Sequence, residues 1–315
     1  MTEQAYAIGT PGQKWGDEEK QAWFAKQVIK RSYQEQIVTK IAALKARYDV
    51  EQYGELAYES LANGAKNYPL FIIKSRNWDE NKATILVTGG VHGYETSGVQ
   101  GAIRFVENNA QDYTEHFNII VAPCLSPWGY ETINRWNPNT IDPNRSFYQH
   151  SPAAESALLM QHIAKMKAEL NFRILAHFDL HETTDTDNSE FRPALVARDA
   201  MEQKNWNIPD GFYLVGDTIK PEDDFQTAMI KSVEQVTHIA PADEDGKLIG
   251  VPLSQFGVIN YATKELGLCA GFSDSEYCTT TEVYPDSPKV DGENCIIAQV
   301  ASITGGLDFI ITNKQ

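Results

Sequence analysis

The spacing of apolar residues changes once along the chain. Between residues 17 and 48, Trp23, Phe24, Val28, Ile29, Tyr33, Ile37, Ile41 and Leu44 recur at three- and four-residue steps with charged residues between them. That period predicts one long amphipathic helix packed on the main body. After Gly64 the texture becomes an alternation of strands and helices. Strand-like apolar runs occur at Tyr68–Ile73, Ala83–Val87, Phe117–Val121 and Phe172–Leu180. Shorter strands are expected at Ala194–Val196, Phe212–Val215 and Cys278–Val283. Helical patterns fall between them, at about Thr96–Asn108, from Ser151-Pro152 to about Leu170, at Pro221–Ile239 and at Glu293–Ser302. The stretch from Gly246 to Phe272 is Gly-rich and irregular. Strands alternating with helices predict an α/β fold, a mixed, largely parallel twisted sheet flanked by helices. With no repeat or linker visible, the expected organisation is one catalytic domain over residues 61–315. Residues 1–60 form a helical extension packed upon it.

Composition narrows the function classes. The chain has 315 residues, 42% hydrophobic and 22% charged, enough for a sizeable core. Its net charge of −16 repels phosphate backbones and anionic lipid heads, which argues against nucleic acid and membrane as partners. No stretch approaches eighteen consecutive apolar residues, and the N-terminus lacks the basic start and apolar run of a signal peptide. Four cysteines without a CxxC pair fit a reducing compartment, so a cytoplasmic location is expected.

Four constellations carry chemistry. In Val87-Thr88-Gly89-Gly90-Val91-His92-Gly93-Tyr94-Glu95 a strand ends, glycines turn the chain, and His92 and Glu95 stand three apart before a helix. An imidazole and a carboxylate so spaced can reach one metal ion, beyond the carboxyl end of a strand where open α/β sheets place ligands. The alternative is a histidine and a capping glutamate in a surface turn. Phe178-Asp179-Leu180-His181-Glu182 closes another strand, and His181 completes a two-His, one-carboxylate set of the kind that binds hydrolytic zinc. Asp179 lies on the same strand face, placed to orient that imidazole, whereas His177 reads as a core histidine. The loop from Asn134 to Phe147 carries Arg135 and Arg145, candidates for bidentate carboxylate binding or ordinary surface arginines. Glu282 ends the β-branched run Thr279-Thr280-Thr281, as a base or as a solvated strand end.

Taken together these residues resemble the zinc carboxypeptidases, the carboxypeptidase A-like metallopeptidases. The shared order is HxxE, an Arg, a D-x-N-R segment, a strand-end His, a Tyr and a Glu, matched here mainly over residues 84–183 and 261–307. The resemblance implies a carboxypeptidase-like fold and one Zn²⁺ per chain, held by His92, Glu95 and His181. It implies that Asn144 and Arg145 bind the substrate's free carboxylate, that Arg135 polarises the scissile carbonyl, and that Asp142 supports His92. Glu282 would be the general base, and Tyr261 the mobile tyrosine of the family, with Tyr277 as the weaker candidate. The implied activity is hydrolysis of the C-terminal amide bond of a peptide or small amide with a free carboxylate. Ser146 and Pro143 depart from the usual residues of that segment.

The segments Asp179–Thr184 and Asp142–Phe147 also look like the succinylglutamate desuccinylase and aspartoacylase group, which cleaves N-acyl amino acids. Those enzymes carry a substantial C-terminal β-domain, whereas 33 residues follow Glu282 here and read as a helix and short tail, so the peptidase is expected. A non-catalytic binding protein on the same fold is a remoter alternative. A serine hydrolase is weaker still, because Gly271-Phe272-Ser273-Asp274-Ser275 lacks the second glycine of a nucleophile elbow.

Overall fold

The computed structural model describes residues 6–60 and 64–313. Its strands are β1 (Asp49–Ser60), β2 (Gly64–Lys74), β3 (Ala83–Gly89), β4 (Phe117–Ala122), β5 (Ile174–Glu182), β6 (Tyr213–Asp217), β7 (Lys247–Leu248), β8 (Val251–Pro252), β9 (Val258–Tyr261) and β10 (Tyr277–Val283). Its helices are α1 (Asp17–Ala25), α2 (Thr39–Leu44), α3 (Thr96–Asn108), α4 (Ala110–Tyr113), α5 (Pro127–Thr132), α6 (Ala154–Leu170), α7 (Arg192–Asp199), α8 (Asp223–Val233), α9 (Cys269–Phe272) and α10 (Gly292–Asn313).

Eight strands make one sheet in the order β1-β2-β4-β3-β5-β10-β6-β9. The centre, β4-β3-β5-β10, is parallel, while β2 joins β4 and β6 joins β10 in antiparallel fashion. Successive side chains point to opposite faces, and both faces are covered. Ile85, Val87, Ile119 and Val121 belong to the core that includes Val99, Ile103 and Val106 of α3. Leu86 and Ile120 face the other way, toward Leu159, Ile163 and Met166 of α6.

Strand β3 leads outward to β4 on one side, and β5 is flanked by β10 on the other. The chain thus reverses its order of strands between β3 and β5, the place where open α/β sheets leave a crevice beyond their carboxyl ends.

Two expectations are corrected. The helix expected over 17–48 breaks after Ala25, and helical winding resumes only at a π-turn over Gln34–Val38 that runs into α2. The break is tertiary. Glu131 captures the intervening backbone, its carbonyl accepting from Lys30 N (2.8 Å) and its carboxylate from Tyr33 N (2.9 Å). Val28 and Ile29, counted toward the apolar stripe, are 57% and 48% exposed. The strand expected at Ala194–Val196 is instead part of α7, opened by Pro193 in its first turn. Three apolar residues in a row cannot distinguish the two periods.

The last helix, α10, is 22 residues long with a mean hydropathy of 1.6 over its most apolar window. By length and composition it is one helix that could cross a membrane, although the sequence holds no unbroken apolar run of that length. Here Ala298, Ile303, Leu307 and Ile310 are buried in the core with α3 and α8. Gly306 lies so close to Phe178 and Phe225 that a Cβ there would collide with both rings.

The sheet itself begins at Asp49. The expected boundary at residue 60 falls beside residues 61–63, which lie outside the described residues, and β1 on its N-terminal side is paired with β2.

Candidate metal centre and active site

The loop after β3 brings the first two expected metal ligands into place. Gly90 turns the chain at φ +59°, and Gly93 lies so close to the 126–130 backbone that a Cβ would fall 2.1 Å from Tyr130 N. Only glycine fits there. His181 arrives from β5, the neighbour of β3, whose Leu180 pairs with Gly89.

The three side chains converge, with ligand atoms within 4.8 Å of one another and the residues 1–2% exposed. Glu95 stands between the imidazoles, its Oε1 2.7 Å from His92 Nδ1 and its Oε2 2.7 Å from His181 Nδ1. The far nitrogens also meet carboxylates: His92 Nε2 is 3.0 Å from Asp142 Oδ1, and His181 Nε2 is 2.9 Å from Asp179 Oδ2.

A neutral imidazole has one N–H, so two neutral histidines can satisfy only two of these four contacts. The other two require extra protons or a cation between the lone pairs. Glu95 Oε2 is buried without a hydrogen-bond partner despite its short distance to His181, which is how two ligands of one ion face each other. Two imidazoles and a carboxylate with an open side are also the donor chemistry that zinc takes in hydrolytic sites. The residues fit the ion.

The electrostatics agree. Burial pushes the Glu95 carboxyl up, but His181 and His92 overcome it and hold it at about 2. Burial works against a charged His181, yet Glu95 and Asp179 keep its proton affinity well above the ordinary histidine value. The site is built to hold positive charge in its centre.

A cleft of about 780 Å³ opens over this group. Arg135, Asp142, Asn144, Arg145, Tyr261 and Glu282 all line it. Asp142 divides its carboxylate, Oδ1 to His92 and Oδ2 to Arg135 Nε at 3.0 Å, and despite burial Arg135 and His92 hold it well below the usual carboxylate range. Cys269 N donates to Asn144 Oδ1 (2.7 Å), which turns the Asn144 amide nitrogen toward His181 Nε2 at 3.3 Å. Arg145 is exposed to the cleft and donates to the Asn144 carbonyl (2.7 Å), and no described carboxylate pairs with it.

Glu282 is the register partner of His181 across β10 and β5. Thr183 Oγ1 donates to its Oε2 at 2.8 Å. Burial pushes the Glu282 carboxyl up to about 8, with Glu95 adding to the effect and His181 opposing it. The Tyr261 hydroxyl is raised by burial and by Glu282, against the pull of Arg145 and Arg192, and all four residues line the cleft. Tyr277 is elsewhere, packed between Phe225 and Phe309. His177 is a core histidine, its Nε2 2.9 Å from Thr88 Oγ1 and its Nδ1 3.0 Å from Ser273 Oγ.

Several site residues have no signature in the sequence. Asp187 accepts from Tyr94 OH (2.8 Å) and lies 3.7 Å from Arg135 Nη1. Arg31, in the break after α1, donates to Thr96 Oγ1 (2.6 Å), Tyr130 O (2.6 Å) and Gly93 O (3.1 Å), so the N-terminal segment grips the loop that carries His92 and Glu95. Arg192 reaches the cleft from the first turn of α7. Thr183, by contrast, is next but one to His181 just past the end of β5, within reach of a reading that extends the strand period.

Comparison with known proteins follows the same lines. No protein of curated function is similar enough in sequence to count as a relative. A structure of a metallopeptidase-like protein from Shewanella amazonensis superposes with a TM-score of 0.63 at 16% identity, covering 90% of this chain and 98% of the other. A metallo-carboxypeptidase from Burkholderia cenocepacia gives 0.58 at 16% identity, with 88% and 69% covered. A metallo-carboxypeptidase from Pseudomonas aeruginosa, in complex with (2-guanidinoethylmercapto)succinic acid, gives 0.56 at 14% identity, with 89% and 69% covered. At these identities the likeness is one of fold. The model of the zinc carboxypeptidase family matches residues 49–184, a stretch that includes His92, Glu95, Arg135, Asp142, Asn144, Arg145 and His181 but stops short of Glu282. The chain therefore carries the sequence pattern of the zinc carboxypeptidases over residues 49–184, within a fold that metallo-carboxypeptidases share over most of its length.

Proposed function

We propose that the protein is a zinc-dependent carboxypeptidase that hydrolyses the C-terminal amide bond of a peptide or peptide-like substrate with a free carboxylate. The observation that carries this reading is the placement of Glu282 beside His181, in the cleft where Arg145 has no anionic partner among the described residues. A base, a metal-ligand set and an anchor for a terminal carboxylate then face one space.

A zinc ion held by His92, Glu95 and His181 supplies, when bound, a Lewis acid that polarises a carbonyl and makes water more acidic. Arg145 and Asn144 bind the terminal carboxylate and so fix which amide bond lies over the site. Glu282 takes a proton from water, at the oxygen that Thr183 does not occupy, as the water oxygen bonds to the carbonyl carbon. Arg135 donates to the carbonyl oxygen as charge develops there, its guanidinium held in place by Asp142. The carbon–nitrogen bond breaks, and Glu282 returns the proton to the leaving amine. Tyr261 closes over the bound residue from the side of the cleft that Glu282 faces. A divalent cation nearby favours ionised Glu282, which counters the upward push of burial and leaves the base ready near neutral pH.

The proposed setting is cytoplasmic, supported by four cysteines that are all free and buried. The test uses zinc-loaded protein, peptides with free or amidated C-termini, and N-acyl amino acids, each with and without chelator, with products read by mass spectrometry. Chelator-sensitive loss of single C-terminal residues from the free-acid peptides alone is expected. Release of acyl groups with no action on peptides would replace the peptidase with an N-acyl amino acid deacylase.

A further inference from the structure

The cleft is lined by six basic side chains in a protein whose net charge is −16: Lys14, Lys20, Arg135, Arg145, Arg192 and Arg198. Two are neutralised within the protein, Arg135 by Asp142 and Asp187, and Arg198 by Asp199. Lys14 and Lys20 sit at the rim on the N-terminal segment. Arg145 already has the terminal carboxylate as its proposed ligand. Arg192 remains.

Arg192 is half-buried and well fixed. Its Nη1 donates to Asn188 Oδ1 (2.6 Å) and to Asn207 O (3.2 Å), both neutral acceptors, and no described carboxylate lies within ion-pair distance of it. Asp187, an acid of the preceding turn, is already committed, Oδ1 to Tyr94 OH and Oδ2 to Thr184 N. Arg192 and Arg145 line the same cleft, and Tyr213, Tyr261 and Val215 line it with them. A desolvated guanidinium held by neutral partners, with open nitrogens toward a cleft, is a receptor for a carboxylate.

We propose that Arg192 is a second carboxylate receptor, and that the protein prefers substrates whose C-terminal residue bears an acidic side chain. The inference rests on the carboxypeptidase reading and deepens it: Arg145 takes the α-carboxylate and Arg192 the side-chain carboxylate of one dianionic residue. A basic C-terminal residue would bring its cation against Arg192. An aliphatic one would leave the guanidinium desolvated without an anion, the situation in which a polar site rejects an apolar analogue most strongly.

The experiment measures kcat/KM of the zinc-loaded protein on N-acylated dipeptides ending in glutamate, leucine and lysine, for wild type, Arg192→Gln and Arg192→Glu. Wild type is expected to favour glutamate over leucine by roughly tenfold or more, with lysine poorest. Arg192→Gln should reduce the glutamate-to-leucine ratio by about tenfold. Arg192→Glu should raise the lysine-to-glutamate ratio, a gain that misfolding cannot produce. Leucine cleaved as well as glutamate by wild type would overturn the inference and leave the carboxypeptidase standing. So would a glutamate preference that Arg192→Gln leaves intact. Absence of release from all three dipeptides by metal-loaded protein would overturn the carboxypeptidase reading, and this inference with it.

Discussion

Glu282 and His181 are direct neighbours in the register of β10 and β5, two parallel strands of the central sheet. Register partners present their side chains on the same face, so the sheet fixes the distance from the base to the metal-ligand set. Thr183 sets the rotamer of Glu282 through its hydroxyl, which itself pairs with Tyr213 OH at 2.8 Å. Replacing Glu282 by Gln keeps the shape and removes the proton acceptor. Glu282→Gln is expected to retain zinc at one ion per chain and lose about 10²–10⁴-fold in kcat. Metal analysis together with steady-state kinetics decides it, and near-normal turnover would remove Glu282 from the mechanism.

Arg145 has no anionic partner among the described residues, so its guanidinium can take one from the substrate. Arg145→Ala is expected to raise KM for free-carboxylate peptides by roughly tenfold to a hundredfold, with a smaller effect on kcat, as loss of a charged hydrogen bond used in binding would do. An unchanged KM would assign carboxylate binding to another residue.

Asp179 fixes the ring of His181 from behind, and Thr88 donates to its other oxygen at 2.6 Å. Despite burial, His181 keeps the Asp179 carboxyl below its ordinary value, so it presents a charge to the imidazole. Asp179→Asn is expected to weaken zinc binding about 10- to 100-fold while the fold persists. Competition with a chromophoric chelator measures the affinity, and circular dichroism checks the fold. Unaltered affinity would show that the strand alone orients the ring.

Arg31 joins the break after α1 to the metal loop, and its guanidinium stacks 3.5 Å above the Tyr130 ring. Substitution by Met preserves the stem and removes bonds to Gly93, Thr96 and Tyr130, leaving buried carbonyls without donors. Arg31→Met is expected to cost about 2–4 kcal/mol of stability and to weaken zinc binding as the loop loosens. Urea unfolding and the chelator assay measure the two effects. A stability loss with no change in zinc affinity would show that Arg31 supports the N-terminal segment only.

These residues show where sequence is informative. His92, Glu95 and His181 were legible because they close strands whose apolar runs are unmistakable, and strand ends in such sheets gather at one edge. Strands β3, β4 and β5 and helix α3 follow from the same patterns, which burial on both faces makes strong. The N-terminal helix was misread because Glu131, about a hundred positions away, takes its backbone donors, and no local pattern reports such a capture. Ala194–Val196 was misread because the apolar run is too short to carry a period. Arg31, Asp187 and Arg192 were invisible because an isolated charged residue looks the same whether it faces solvent or a cleft. Only the path of the chain distinguishes them.

His177 gives a pH dependence whose sign can be worked out. It is fully buried, and desolvation is the main reason its pKa is depressed to about 4, against the attraction of Asp179. An unfolded chain takes up this proton near pH 6.5, whereas the folded one refuses it until about pH 4. Between those values the unfolded state binds more protons, so stability falls as the pH drops from about 6.5 to about 4 and changes no further below that. The full span is worth about 3 kcal/mol. His181 acts in the opposite direction, since it gains proton affinity on folding and in metal-free protein favours the folded state at acid pH, whereas burial lowers His162 in the same direction as His177. The contribution of His177 must therefore be read as a difference. Urea midpoints of chelated wild type and chelated His177→Gln, compared from pH 7.5 down to pH 4.5, should show wild type losing the more stability over that range. Parallel curves would mean that His177 becomes protonated in the folded core, with Asp179 and Thr88 as its partners.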